Sequence, residues 1–106
     1  TQEDLDFYVK ENTGNGFSGG LNWYRNIKRL HNLLAPFVGS TINQPSLYLY
    51  GEHDLIAGNT PEAIQTMKQS LPDLRACVRF EGAGHWLQQE RAFGVNSELL
   101  NFLESI

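Results

Sequence analysis

The sequence predicts an α/β fold in which two parallel strands with flanking helices form an incomplete sheet, preceded by a helical segment. In residues 39–106 the patterns run strand, helix, strand, helix. About a dozen residues of helix separate the strands, enough for a right-handed parallel crossover. The strand runs are also apolar on both faces, as in a sheet covered from both sides. Such sheets are seldom two strands wide, so the remaining strands are expected outside this stretch of chain.

Thr1 and Asp4 make a helix-start pattern, with Leu5, Tyr8 and Val9 at helical spacing behind them. This helix is expected to end before Asn12-Thr13-Gly14-Asn15-Gly16, a run of turn formers. Trp23, Ile27, Leu30 and Leu34 then share one face of a single amphipathic helix, with Arg25, Lys28, Arg29 and Asn32 on its other sides. Pro36 disfavours helical geometry in the residue before it and should stop that helix near Ala35. Leu47-Tyr48-Leu49-Tyr50, closed by Gly51, reads as the first strand. Thr60-Pro61-Glu62 opens the crossover helix with a capping hydroxyl and a proline at its first position. Ala63, Ile64, Met67 and Leu71 form its inner stripe, and Pro72 stops it. Residues 76–80 read as the second strand, followed by the tight Gly82-Ala83-Gly84. Ala92, Val95, Leu99, Phe102 and Ile106 mark a long final helix.

Composition narrows the function classes. The 106 residues carry 8 basic and 12 acidic side chains, a net charge of −4. Nucleic acid and anionic membrane surfaces ask for clustered Lys and Arg, so neither is an expected partner. The apolar runs are far shorter than the roughly 20 residues a spanning helix needs. Cys77 is the only cysteine, which excludes an internal disulfide and a cysteine-based metal cluster. It sits in an apolar strand and is expected to be a buried, inert thiol. The chain starts at Thr1 with neither an initiator Met nor a signal peptide, and it has no Asn-x-Ser/Thr acceptor. It is therefore expected to be a piece of a cytoplasmic protein.

Chemistry in open parallel sheets gathers at the loops leaving the carboxyl ends of the strands. The first strand runs into Gly51-Glu52-His53-Asp54, the second into Glu81-Gly82-Ala83-Gly84-His85-Trp86. Neighbouring parallel strands end on the same side, so Asp54 and His85 are expected to meet. A carboxylate that accepts a hydrogen bond from one imidazole nitrogen fixes the tautomer and makes the other nitrogen a better base.

These two loops, the Pro-started helix and the terminal helix resemble the carboxyl-terminal part of an α/β-hydrolase. Leu21-Asn22-Trp23-Tyr24-Arg25-Asn26 resembles the cap segment of the epoxide hydrolases, and the similarity runs from about Phe17 to the end. The resemblance implies that residues 1–38 are a helical cap (lid) segment and that 39–106 belong to the hydrolase core. It implies a two-step, cofactor-free hydrolysis of a small epoxide or related electrophile. Tyr24 would bind the epoxide oxygen, an aspartate would open the ring to an alkyl-enzyme ester, and His85, oriented by Asp54, would activate water against that ester. Trp23 and Trp86 would line the substrate pocket. The family's Gly-x-Asp-x-Gly nucleophile elbow and His-Gly-x-Pro oxyanion segment do not occur in these residues, and Tyr8 has no motif marking it as a second cap tyrosine. The chain alone is therefore expected to be inactive.

Other readings stand beside this one. A haloalkane or haloacetate dehalogenase shares the acid–histidine pair but stabilises a halide, which Tyr24 does not suit; an ester hydrolase would carry an upstream serine. A non-catalytic module would pair its open sheet edge with a second copy or with a complementary chain. His53 beside Asp54 invites a metal, but adjacent positions on an extended chain point apart, so no metal site is expected. His31 reads as exposed, Glu52 as a solvated or capping carboxylate, and Gly19-Gly20, with no strand before it, as no phosphate loop.

Overall fold

The computed structural model describes residues 1–56 and 59–106, which divide into two compact units, Thr1–Val38 and Gly39–Ile106. In the first unit, helix α1 spans Gln2–Asn15, capped by the Thr1 hydroxyl, which accepts from the Asp4 amide at 3.3 Å. The helix runs through the turn formers that were expected to end it. Asn12 and Thr13 donate their side chains to the carbonyls of Tyr8 and Val9, four residues back, so they complete the helix instead of competing with it. Gly16, at φ 63°, ends it.

The expected single helix through Trp23 and Leu34 is two, α2 over Ser18–Arg25 and α3 over Ile27–Leu34. Asn26 makes the break. Its side-chain amide donates to the Asn22 carbonyl at 2.8 Å, while its backbone amide is shared between the carbonyls of Asn22 and Trp23. A 3-10 turn, Ala35–Phe37, carries the chain past Pro36. Trp23, Ile27, Leu30 and Leu34 all remain exposed.

In the second unit, strand β1 (Ser46–Gly51) pairs in parallel with β2 (Leu74–Phe80). The register sets Leu47 beside Ala76, Leu49 beside Val78 and Gly51 beside Phe80. Helix α4 (Pro61–Ser70) connects the strands, and its first turn is capped by the Thr60 hydroxyl, which accepts from the Ala63 amide at 3.2 Å. A short helix not expected from the sequence, α5 (Leu87–Glu90), precedes α6 (Ala92–Glu104). Gly94 lets α6 close on the sheet, because a Cβ there would lie 2.6 Å from a ring carbon of Phe80.

Ala83, Leu87 and Val95 are the buried apolar residues of the described chain, with Leu49 and Phe80 packed against them. This core lies beneath the loop that leaves β2. Cys77 is half-buried, not buried, because a sheet of two strands leaves its flanks open. Among the described residues no helix is long and apolar enough to cross a membrane.

So small a core and so many exposed apolar side chains, Val38, Leu55 and Phe93 among them, predict the behaviour of the 106-residue chain on its own. It should self-associate and bind a hydrophobic dye such as ANS. Size-exclusion chromatography with light scattering checks this, and a monodisperse, dye-silent monomer with a sharp melting transition would contradict it.

Candidate active site

Because the strands are parallel and Gly51 is level with Phe80, the loops leaving their carboxyl ends start side by side. Backbone hydrogen bonds then fasten one loop to the other. The Glu52 amide donates to the Phe80 carbonyl at 3.0 Å, and the His53 amide to the Ala83 carbonyl at 2.9 Å. Gly51 makes this approach possible. A Cβ at that position would collide with the carbonyl oxygens of Ala83 and Gly84.

The result is the meeting expected from the sequence. The His85 Nδ1 lies 3.1 Å from both carboxylate oxygens of Asp54, across a sequence separation of 31 residues. The Asp54 side chain is 9% exposed, and its Oδ1 also accepts from the Ile56 amide at 3.0 Å. An ionised carboxylate only accepts, so the imidazole nitrogen facing it carries a proton, and in the neutral ring Nε2 is the nitrogen with the lone pair. The His85 side chain, 42% exposed, turns toward solvent and meets the Trp86 ring edge-on, with centroids 5.3 Å apart. On β1, the Tyr48 hydroxyl donates to Asn59 Oδ1 at 2.6 Å. Burial pushes the Tyr48 phenol above its ordinary value, and the Asp54 charge adds to the effect.

Two carboxylates that hold the His85 loop are more than the sequence reading saw in them. Glu52, expected to be solvated or capping, pairs with the Arg79 guanidinium and accepts from the Gly82 amide at 2.9 Å. That amide and then the Arg79 charge hold its carboxyl below the ordinary value of 4.5. Glu90 reaches back from the end of α5 and accepts from the Gly84 amide at 2.7 Å and the Trp86 amide at 3.1 Å. A first-turn carboxylate that satisfies amides upstream of a helix is the signal that could have found it. That signal is lost when no helix is expected before Ala92.

Tyr24 and Trp23 lie on α2 in the first unit, 69% and 74% exposed, whereas Asp54, His85 and Trp86 belong to the second. Tyr24 and Arg25 stand beside Asn22, whose Oδ1 accepts from Arg25 Nη1 at 2.8 Å. Among the described residues, no group of three or more His, Cys, Asp or Glu is placed to hold a metal ion.

A parallel strand pair that delivers a carboxylate and an imidazole to one rim defines the acid–histidine half of an α/β-hydrolase. No family model matches the chain. It is 43% identical, over its whole length, to epoxide hydrolase A of Mycobacterium tuberculosis, of which it spans 32%. It is 35% identical to epoxide hydrolase 1 of Siraitia grosvenorii, covering 98% of the chain and 34% of that protein. Its fold matches potato (Solanum tuberosum) epoxide hydrolase I with a TM-score of 0.88 at 30% identity, over the whole chain and 34% of that structure. The chain belongs with the epoxide hydrolases and spans about a third of the length of these relatives.

Two predictions follow from the way the loops are tied. A Glu whose carboxyl is depressed in the folded state contributes stability above its ordinary value, and that contribution is lost as pH falls through the depressed one. The Gly82 amide signal, followed by NMR against pH, should therefore shift with a midpoint below 4.5, and the shift should vanish in Glu52→Gln; a midpoint at or above 4.5 would contradict the clamp. Gly51→Ala should force the loops apart and destabilise the protein by roughly 1–3 kcal/mol. An unchanged denaturant midpoint in Gly51→Ala would show that the backbone approach is not needed.

Proposed function

We propose that this chain supplies the acid–histidine pair and the oxygen-binding tyrosine of an enzyme that converts an epoxide and water to a diol. Residues 1–38 act as part of its cap and 39–106 as part of its core. The observation that carries this reading is the two-oxygen contact of Asp54 with His85 Nδ1, in a chain matched along its whole length by epoxide hydrolases.

In the proposed reaction, an aspartate from outside these residues attacks an epoxide carbon. The ring C–O bond breaks, and an ester to the enzyme forms. The Tyr24 phenol donates a hydrogen bond to the epoxide oxygen and lowers the barrier by stabilising the developing alkoxide. His85 Nε2 then takes a proton from water, whose oxygen attacks the ester carbonyl. The bond between the carbonyl carbon and the alkyl oxygen breaks, and the imidazolium returns its proton to that oxygen. The carboxylic acid left behind ionises to aspartate, its proton neutralising the alkoxide from ring opening as the diol departs. Asp54 holds the imidazole in the tautomer that this requires and stabilises its charged form. Trp86, edge-on to His85, and Trp23, next to Tyr24, are proposed to line the pocket for the substrate's carbon skeleton.

The test uses the complete protein that carries this chain, given an epoxide and a haloalkane of matched skeleton. Diol formation without halide release is expected; faster halide release would move the protein to the dehalogenases. His85→Asn should lower turnover by roughly 10²-fold or more and leave the substrate bound to an aspartate-containing peptide, detectable by mass spectrometry. An unmodified protein with unchanged turnover would overturn the role given to His85. Tyr24→Phe should slow formation of the ester but not its hydrolysis.

A further inference from the structure

The loop that carries His85 is tied down from outside at almost every position. The Glu81 carbonyl accepts from Arg91 Nη2 at 3.1 Å, the Gly82 amide donates to Glu52, and the Ala83 carbonyl accepts from the His53 amide. Beyond Ala83 the chain rises out of the core, since Ala83 is fully buried while His85 and Trp86 are exposed. Over that exposed stretch, the amides of Gly84 and Trp86 both donate to the single carboxylate of Glu90. They stand directly before and directly after His85.

We propose that Glu90 is a positioning residue for His85, acting through the backbone and without touching the substrate; this rests on the reading of His85 as the base of the second step. Its two oxygens hold the flanking amides at 2.7 and 3.1 Å, one oxygen to each. Bonds from amides to an ionised acceptor are short and strong. With the Ala83–Gly84 and His85–Trp86 peptides both held, the chain is fixed on either side of His85, and with it the line from Nδ1 to Asp54. The carboxylate is itself anchored, because the Glu90 backbone amide donates to the Trp86 carbonyl at 2.9 Å and its carbonyl accepts from Arg91 Nη1 at 3.0 Å. The side chain thus closes a ring around the histidine instead of hanging from a free end. The Asp54 carboxylate cannot do this alone. It fixes one atom of the imidazole but does not itself hold the backbone on either side of His85.

The geometry separates the steps of the reaction. Ring opening uses Tyr24 and the aspartate, whereas ester hydrolysis needs Nε2 aimed at a water. Misplacing a reacting group by about 1 Å can cost on the order of 10²-fold in rate. In the complete protein, Glu90→Ala should therefore preserve the burst of ring opening and slow the hydrolysis of the ester by roughly 10–10²-fold. Glu90→Gln keeps one acceptor oxygen and presents an N–H to the other amide, so its loss should fall between. A burst and a steady-state rate that decline together, in proportion to the folded fraction, would show a merely structural role. Unchanged rates for both variants would overturn the proposal outright. Should Glu90→Ala fail to fold, Glu90→Gln decides by the same two rates.

A second readout does not depend on catalysis. Imidazole ¹⁵N shifts should show His85 with its proton on Nδ1 in the wild type and a mixture of tautomers in Glu90→Ala. If the wild type turns over no epoxide yet this tautomer change is seen, the functional reading fails while the positioning role of Glu90 stands. If epoxide is turned over and the tautomer and ester hydrolysis are unmoved, the positioning role fails alone.

Discussion

Everything that organises the second unit depends on how closely two loop backbones approach at the ends of parallel strands. Gly51, having no Cβ, allows the carbonyls of Ala83 and Gly84 to sit against it. The His53 amide can then reach the Ala83 carbonyl, and Ala83 itself becomes the most deeply buried side chain of the described chain. That contact places Asp54, three residues after Gly51, beside His85, two after Ala83. The acid–histidine pair is a consequence of backbone packing, and its side chains need to bridge only the last few ångströms. This explains how so small a core can hold a preformed pair. The precision comes from hydrogen-bonded backbone, which is strong where it is satisfied and costly where it is not.

Much of this was legible in the residues themselves. Apolar runs ending in glycine, a Thr-Pro helix start between them and ionisable groups just past each run are local patterns, and the parallel order follows from the length of the crossover. Asp54 and His85 could be paired from this alone, because parallel strands leave their carboxyl ends no choice of side. The break at Asn26 and the extension of α1 to Asn15 were not legible. In both, the deciding factor is whether a short polar side chain serves the helix carbonyl four residues back or competes with the backbone, and composition alone permits either outcome. Cys77 was misjudged for a different reason: an apolar strand residue is buried only if something covers it.

The carboxylates Glu52 and Glu90 show where reading by motif reaches its end. Each stands near a recognisable feature, yet each earns its place from which amides the turning loop leaves unpaired. That inventory exists only once the loop has its shape. Gly82, at φ 63°, turns the chain so that its own amide faces Glu52, and the amides of Gly84 and Trp86 reach Glu90 on α5. A satisfied loop of this kind is stiff, which is what a general base needs, since its value depends on holding a lone pair in one direction.

The two units divide the proposed chemistry along the same line as the structure. An acid–histidine pair of this geometry suits any hydrolase that resolves an ester intermediate, so the second unit by itself favours no substrate. Preference for an oxygen leaving group over a halide has to come from a donor, and the phenol offered for that task, Tyr24, sits on α2 in the first unit. On that helix Asn22, Arg25 and Asn26 bond among themselves and to the backbone. Those three residues flank Trp23 and Tyr24 in the stretch that most resembles the epoxide hydrolases. In the proposed reaction, selectivity is assigned to residues of the first unit and the base of the second step to residues of the second. A substitution in one unit therefore tests one role without altering the residues of the other.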